Sequence, residues 1–344
     1  MNICVITVTY GNRFHLLEKV LDALIQDEIK KIIIIDNGSS VESNQKMQDY
    51  AQKSSKNIQI TPIGYNAGSA KGFKMGLEKA LEIPETETPF FWILDDDNLP
   101  QADTLEVLLK FWKELTNTEN YRKTALLANR VDRKNFVATL ITQNPDDILT
   151  RKNSFMGFHW ANIWELLYER IMKKDFKNIE KEKYQNLPLF TKISAAPYGG
   201  LFFHRDLLKT TALPDEKYVL YCDDFAFTLP ITRSGGTIWF IKDSILEDVE
   251  RSVYLPKKKK WLHHLLFEAK EAQAYYALRN MVYFPLNTQQ NTNKFTCFVN
   301  KCSLFFMLSI MALLRGELGK LAILWEANND AVNGKMGVNP KYVL

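Results

Sequence analysis

Asn2-Ile3-Cys4-Val5-Ile6-Thr7-Val8-Thr9 is an apolar, β-branched run, and behind it Leu16, Leu17, Val20, Leu21 and Leu24 recur at helical spacing. The run predicts a buried strand and the recurrence an amphipathic helix packed on it. The alternation continues. Ile32-Ile33-Ile34-Ile35 reads as a second strand ending at the turn residues Asp36-Asn37-Gly38, followed by a polar helix from about Ser43. Ile58 to Ile63 reads as a third strand, and after Asn66-Ala67-Gly68 a helix to about Leu81 leads into a fourth strand, Phe90 to Leu94. Continuously apolar strands separated by helices imply a mostly parallel, Rossmann-like central sheet covered on both faces. Such sheets bind ligands at the carboxyl ends of their strands, where Asp36, Asn66 and Asp95 to Asp97 all fall.

Beyond residue 100 the pattern is less regular. Arg151 to Tyr184 is rich in Lys, Trp, Phe and Tyr, with a helical stretch around Ile163 to Met172, and reads as an insertion or small helical subdomain. Thr191 to His204 and Thr237 to Leu246 read as strands, and helical patterns run from Leu262 to about Phe284 and from about Phe295 to Asn328. The expected organisation is an α/β domain over 1–250, with a nucleotide-binding half (1–100) and an acceptor-side half (101–250) carrying the insertion near 151–190. A helical C-terminal extension over 251–344 follows.

Composition narrows the class. With 344 residues, 46% hydrophobic and 24% charged, the chain has the makeup of a globular protein and not of a disordered or fibrous one. Cys4, Cys222, Cys297 and Cys302 form no CxxC pair, which argues for reduced thiols and against a disulfide framework or a zinc site. The strand-like start leaves no room for a leader, and Phe305 to Leu314 is stopped by Arg315 and Glu317, so no run is expected to span a bilayer. A net charge of +4 is too mild to imply nucleic acid. The Lys257 to Lys260 block abutting Trp261-Leu262-His263-His264-Leu265-Leu266-Phe267 suits either an anionic lipid surface or a solvated loop before a core helix. Cytoplasmic residence follows as an expectation, with reversible contact at the inner face of the membrane.

The candidate chemistry lies at Trp92-Ile93-Leu94-Asp95-Asp96-Asp97, an apolar strand running into three carboxylates. Adjacent carboxylates at a buried strand end repel unless a cation or hydrogen-bond donors hold them. A hard divalent ion such as Mg2+ or Mn2+ uses one or two carboxylates and leaves its other positions to substrate phosphates, which points to a nucleotide-diphosphate site. An isolated acidic triplet would otherwise be a solvated turn. A second acidic pair, Tyr221-Cys222-Asp223-Asp224-Phe225, supplies carboxylates separate from the first set. A metal-bound Asp is too weak a base to deprotonate a sugar hydroxyl, so separation of the two sets matters. The pair would equally cap the helix that follows.

Thr7-Val8-Thr9-Tyr10-Gly11-Asn12-Arg13, Ile35-Asp36-Asn37-Gly38-Ser39, Asn66-Ala67-Gly68 and Leu94-Asp95-Asp96-Asp97 stand in the order and spacing of one group. The chain resembles the inverting GT-A glycosyltransferases of family 2, particularly the bacterial rhamnosyl- and galactofuranosyltransferase-like branch. Further matches fall near residues 199, 224 and 279. The resemblance implies a GT-A fold and a metal-dependent transfer of galactofuranose, rhamnose or a related hexose. The donor would be a UDP- or dTDP-sugar and the acceptor a growing surface polysaccharide or lipid-linked glycan.

The same resemblance distributes roles. Asp36, with Asn37 and Thr9, would hold the base, and Asn66 and Gly68 would touch base and ribose. Asp95 and Asp96 would contact the nucleotide, Asp95 and Asp97 the metal, and Asp224 would deprotonate the acceptor beside Asp223. The segment Tyr198-Gly199-Gly200 would line the reacting sugars. Many relatives place a metal-binding His after the last strand, whereas here the stretch ends Glu247-Asp248, and Asp248 stands in its place. Arg279, in Tyr275-Tyr276-Ala277-Leu278-Arg279-Asn280, would pair with diphosphate or form a structural salt bridge. Two other functions share part of this pattern. A sugar-phosphate nucleotidyltransferase is disfavoured because Tyr10-Gly11-Asn12-Arg13 replaces a Gly-rich basic loop, and an inactive sugar-nucleotide-binding protein because both acidic sets are retained.

Overall fold

In the computed structural model, the described residues are 1–116, 120–131, 133–161, 184–250, 263–264 and 267–344. They group into two compact units, 1–148 with 189–255 and 149–188 with 256–343. The stretch read as an insertion near 151–190 therefore falls with the C-terminal helices. Lys257 to Lys260, Trp261, Leu262, Leu265, Leu266 and the helix expected at Ile163 to Met172 lie outside the described residues.

The first unit is built on one sheet. Its strands are β1 (Ile3–Gly11), β2 (Ile29–Ser39), β3 (Ile58–Pro62), β4 (Phe90–Asp95), β5 (Asn98–Pro100), β6 (Thr124–Arg130), β7 (Phe190–Ile193), β8 (Leu201–His204) and β9 (Thr237–Asp248). They run in the order β3-β2-β1-β4-β8-β6-β9-β5, with β7 paired to β9. β3, β2, β1 and β4 are mutually parallel, and past β4 the directions are mixed: β8 is antiparallel to both β4 and β6, while β9 runs parallel to β6. Helices α1 (Phe14–Ala23), α2 (Val41–Lys53), α3 (Ser69–Glu82), α4 (Thr104–Thr116), α5 (Lys134–Thr142) and α6 (Asp223–Arg233) accompany the sheet. The arrangement is a mixed α/β fold, a central sheet flanked by helices.

Local chemistry explains the crossovers that matter. α2 is capped by Ser40, whose hydroxyl accepts from the Ser43 amide, which sets the direction of chain leaving β2. α3 lies close against the sheet because it presents glycines there: a Cβ at Gly72 would come 2.7 Å from a Val8 methyl, and one at Gly76 2.5 Å from an Ile6 methyl. Residues 191–204, expected as one strand, form β7 and β8 separated at Ala195 to Gly200. The break has a backbone cause, since Gly200 adopts φ +96, outside the extended region.

The second unit contains α7 (Glu271–Thr288), α8 (Lys294–Arg315) and α9 (Leu318–Val332). The helical pattern expected to run from Phe295 to Asn328 is two helices, because Gly316 takes the left-handed conformation at the end of α8 and stops it. Residues 149–161 are tied to these helices. Asn293 donates its amide to Asn153, Asn300 donates to the Asn153 carbonyl, and the Trp160 indole donates to Ser303.

One expectation is corrected in this unit, that no run is long and apolar enough to span a bilayer, and the position of Arg279 is defined. α8 is 22 residues long and meets the length and apolarity of a membrane span, with a mean hydropathy of 1.9 in its most apolar window. Before Phe305 the helix adds Phe295, Cys297, Phe298, Val299 and Leu304, with Lys301 the one charged residue between Lys294 and Arg315. Arg279 is buried, donates to the Gly337 carbonyl at 2.6 Å and lies over the Tyr276 ring at 4.8 Å. Its place is inside the helical unit, against carbonyl and aromatic faces.

Candidate functional site

β4 ends at Asp95, the chain turns through Asp96 and Asp97, and β5 begins at Asn98. β5 is antiparallel to β9 with Asn98 opposite Asp248, so the register brings a residue 150 positions distant beside the acidic turn. The Asn98 amide donates to both Asp97 (3.2 Å) and Asp248 (3.1 Å). Arg130, the last residue of β6, donates to Asp95 at 3.0 Å and to Asp248 at 2.6 Å, with only 8% of its side chain exposed. On the other side Arg13 donates to both oxygens of Asp96 and at 3.3 Å to Asp97, and Thr9 donates to Asp96 at 2.8 Å. Arg13 also pairs with Glu250.

Asp95, Asp96, Asp97 and Asp248 thus face two guanidiniums in hydrogen-bond contact, and the cluster retains excess negative charge. The consequence is visible at Asp97, whose pKa is raised to about 7 by burial and then by Asp95, Asp96 and Asp248. Burial likewise raises Asp95, opposed by Arg130. A divalent cation matches this surplus. Among the described residues no preformed group of three or more His, Cys, Asp or Glu ligands occurs. Asp97 accepts the longest hydrogen bonds in the cluster and is the best-placed ligand, with Asp95 beside it. Both oxygens of Asp97 and of Asp248 accept hydrogen bonds, but those to Asp248, from Arg130 at 2.6 Å and Asn98 at 3.1 Å, are shorter, which makes it the poorer ligand of the two.

The nucleotide-side residues come together around the ends of β2 and β3. Asp36 accepts from the Ser39 amide (2.8 Å) and the Asn44 side chain (2.6 Å). Asn37 accepts from the Ala67 amide and donates to Asn66 and the Gly68 carbonyl, so the two loops are one hydrogen-bonded unit. Gly68 has φ +86, and a Cβ there would lie 2.0 Å from the Val219 carbonyl oxygen.

That contact leads to the second acidic pair. Val219, Tyr221 and Cys222 all have positive φ, an unusual run for residues with side chains, immediately before α6. It delivers Asp223 and Asp224 to the first turn of α6, where Asp223 accepts from Ser69 (2.8 Å) and Asp224 from the Phe225 amide (2.8 Å). Burial raises Asp223 to about 6, and burial followed by the charge of Asp223 raises Asp224 to about 7. Tyr198, packed 4.2 Å from the Phe73 ring centroid, has its hydroxyl pushed well above its usual range by burial and by Asp223 and Asp224. Next to it, a Cβ on Gly199 would lie 2.0 Å from Asn98 Oδ1 and 2.7 Å from Asp95 Oδ2. Tyr198-Gly199 is therefore the seam between the two acidic sets.

Sequence reading did not single out Arg130, Asn98 or Ser69, and noted Arg13 only as part of a motif. Arg130 carried a usable signal: an arginine closing the apolar run Thr124-Ala125-Leu126-Leu127-Ala128-Asn129 needs a buried partner as much as the carboxylates do.

Residues 4–123 match the family model described as glycosyl transferase family 2. This stretch carries Thr9, Asp36, Asn66 and Asp95 to Asp97. Over 114 residues the chain is 32% identical to a teichoic acid poly(glycerol phosphate) polymerase from Staphylococcus epidermidis, an overlap covering 32% of the chain and 15% of that relative. Among solved structures it is similar to S. aureus TarS (16% identity, TM-score 0.44, 84% of this chain and 44% of that one). It is also similar to S. aureus TarS 1–349 in complex with UDP-GlcNAc (13% identity, TM-score 0.47, 97% and 92%).

Proposed function

We propose that the protein is an inverting glycosyltransferase that moves a hexose or deoxyhexose from a UDP- or dTDP-sugar to a cell-surface polymer or its lipid-linked precursor. The observation that carries this reading is the juxtaposition of two buried acidic sets across Tyr198-Gly199, one at the end of β4 and one opening α6. The family match over the nucleotide half supports a sugar-nucleotide donor. The polymerase relative supports wall-polymer chemistry for the acceptor. Galactofuranose and rhamnose are the sugars that the motif resemblance favours.

Asp224 accepts the proton of the acceptor hydroxyl, and its raised pKa gives it the proton affinity that a base near neutral pH needs. The hydroxyl oxygen forms the new bond to the anomeric carbon as the bond to the departing diphosphate breaks on the opposite face, which inverts the configuration. Asp223, held by Ser69, stays beside the base and keeps its proton affinity high. Asn37, Asn66 and Gly68 hold the nucleotide loops in one conformation, and Asp36 is fixed at the end of β2. Asp97 and Asp95 would hold Mg2+ or Mn2+, which supplies charge for the leaving diphosphate. Arg130 holds Asp95 and Asp248 in place by a hydrogen bond to each.

Transfer is tested by incubating the protein with UDP- and dTDP-hexoses, a short wall-polymer acceptor and Mn2+ or Mg2+, then resolving the products. Sugar should appear on the acceptor with inverted configuration, and chelator should stop it. Absence of both nucleotide-diphosphate binding and donor consumption across the panel would sink the reading.

A further inference from the structure

α8 carries two apolar stripes, and among the described residues of its unit only one is covered. Asn300, Leu304, Phe305, Leu308 and Ala312 are buried, with Phe305 meeting Trp325 of α9 edge-on at 5.1 Å between ring centroids. On the opposite side Phe295, Phe298, Phe306, Ile310, Leu313 and Leu314 are exposed, Phe295 by 75% and Leu314 by 81%. An apolar stripe of this length left in water is costly, and it is the mark of a surface that meets another phase or partner.

We propose that this face of α8 lies on an anionic lipid surface, with the helix in the plane of the interface. Two observations select lipid and a third the mode of contact. The helix has the apolarity of a membrane segment. Its only charged residues are Lys294, Lys301 and Arg315, placed at both ends and between, with no Asp or Glu. An interfacial helix uses this combination, apolar side chains entering the acyl boundary and cations meeting headgroups. Pairing with a second copy would set Lys294 and Arg315 of the two helices against one another or against themselves, with no acidic partner on either helix. The third observation separates lying on a bilayer from spanning one: Asn300 donates to Asn153 and accepts from the Trp160 amide, contacts that a spanning helix would have to abandon.

The test uses the full chain and vesicles of phosphatidylcholine with or without phosphatidylglycerol. Wild-type protein should sediment with the anionic vesicles at low salt, and Phe298→Glu/Phe306→Glu/Leu313→Glu should lower the bound fraction at least tenfold. Because these side chains are exposed, circular dichroism and the thermal midpoint should not change. Lys294→Gln/Lys301→Gln should weaken binding to anionic vesicles severalfold and flatten its salt dependence. A polarity-sensitive dye on Cys302, which is exposed within the same helix, should shift to the blue when vesicles are added. The proposal is overturned if wild-type protein stays in the supernatant, or if the triple variant sediments equally well. It is also overturned if wild-type protein is an oligomer in vesicle-free buffer that the triple variant dissociates, since a second copy then covers the face.

Discussion

Asp224 is the residue on which the proposed chemistry turns. Asp224→Asn keeps the shape and the bond from the Phe225 amide but cannot take a proton, so kcat should fall by about 10²–10⁴-fold while nucleotide-diphosphate affinity stays near wild type. Near-native turnover would make the residue a helix cap and nothing more. The raised pKa gives a second, independent readout. A carboxyl near ~3.9 in the unfolded chain and about 7 in the folded one means that the folded state holds a proton the unfolded chain has released. This linkage adds stability that is complete below the unfolded value and is lost as pH rises through about 7. Thermal unfolding of metal-free protein should therefore show Asp224→Asn gaining on wild type at pH 8 and much less at pH 5, and a pH-independent gap would refute the shift. Arg130 answers to the same electrostatics. Arg130→Met leaves the buried carboxylate of Asp248 with only the more distant Arg133 and takes the counter-ion from half-buried Asp95, and should cost about 2–4 kcal/mol in denaturant unfolding, whereas Arg130→Lys should recover part of that loss.

Elements position these residues through close backbone approach. The chain between β7 and β8 can pass beneath the acidic turn only because Gly199 has no side chain, and the same holds where Gly68 meets Val219 at the start of α3. Gly199→Ala would force its Cβ into Asn98 Oδ1 and Asp95 Oδ2, so the seam must open. The expected result is a loss of activity larger than the loss of stability, because the displaced atoms belong to the site and not to the core. Equal, small effects on both would show that the turn relaxes freely. The positive-φ run before α6 belongs to the same scale: a costly local backbone is kept where it delivers Asp223 and Asp224 to a helix N-terminus.

At the scale of the molecule, chain order and spatial grouping diverge. Residues 149–161 precede β7 in sequence yet make their described contacts with α7 and α8, through Gln289 to Thr150, Asn153 to Asn293 and Asn300, and Phe155 to Phe305. Truncation after residue 250 would strip that segment of its partners and leave Phe155 and its neighbours uncovered. Such a fragment should be less soluble than the full chain, and limited proteolysis should cut it first within 149–161. A soluble fragment resistant at that stretch would mean that the segment packs without the C-terminal helices.

By itself the sequence determined the alternation of strand and helix through β4, the carboxyl-end placement of Asp36, Asn66 and Asp95 to Asp97, and the existence of a second acidic pair opening a helix. These follow from local periodicity and from the connection rules of parallel sheets, so a short window of residues contains them. Tertiary structure alone decided what surrounds the carboxylates. The antiparallel register of β5 on β9 set Asn98 against Asp248, the parallel pairing of β6 with β9 put Arg130 between Asp95 and Asp248, and Arg13 closed on Asp96 from the other side. Contacts between residues 35 to 150 positions apart leave no periodic trace. The grouping of 149–161 with the C-terminal helices and the division of α8 into a packed and an exposed stripe were equally invisible, since an apolar residue reads the same in sequence whether a neighbour covers it or not.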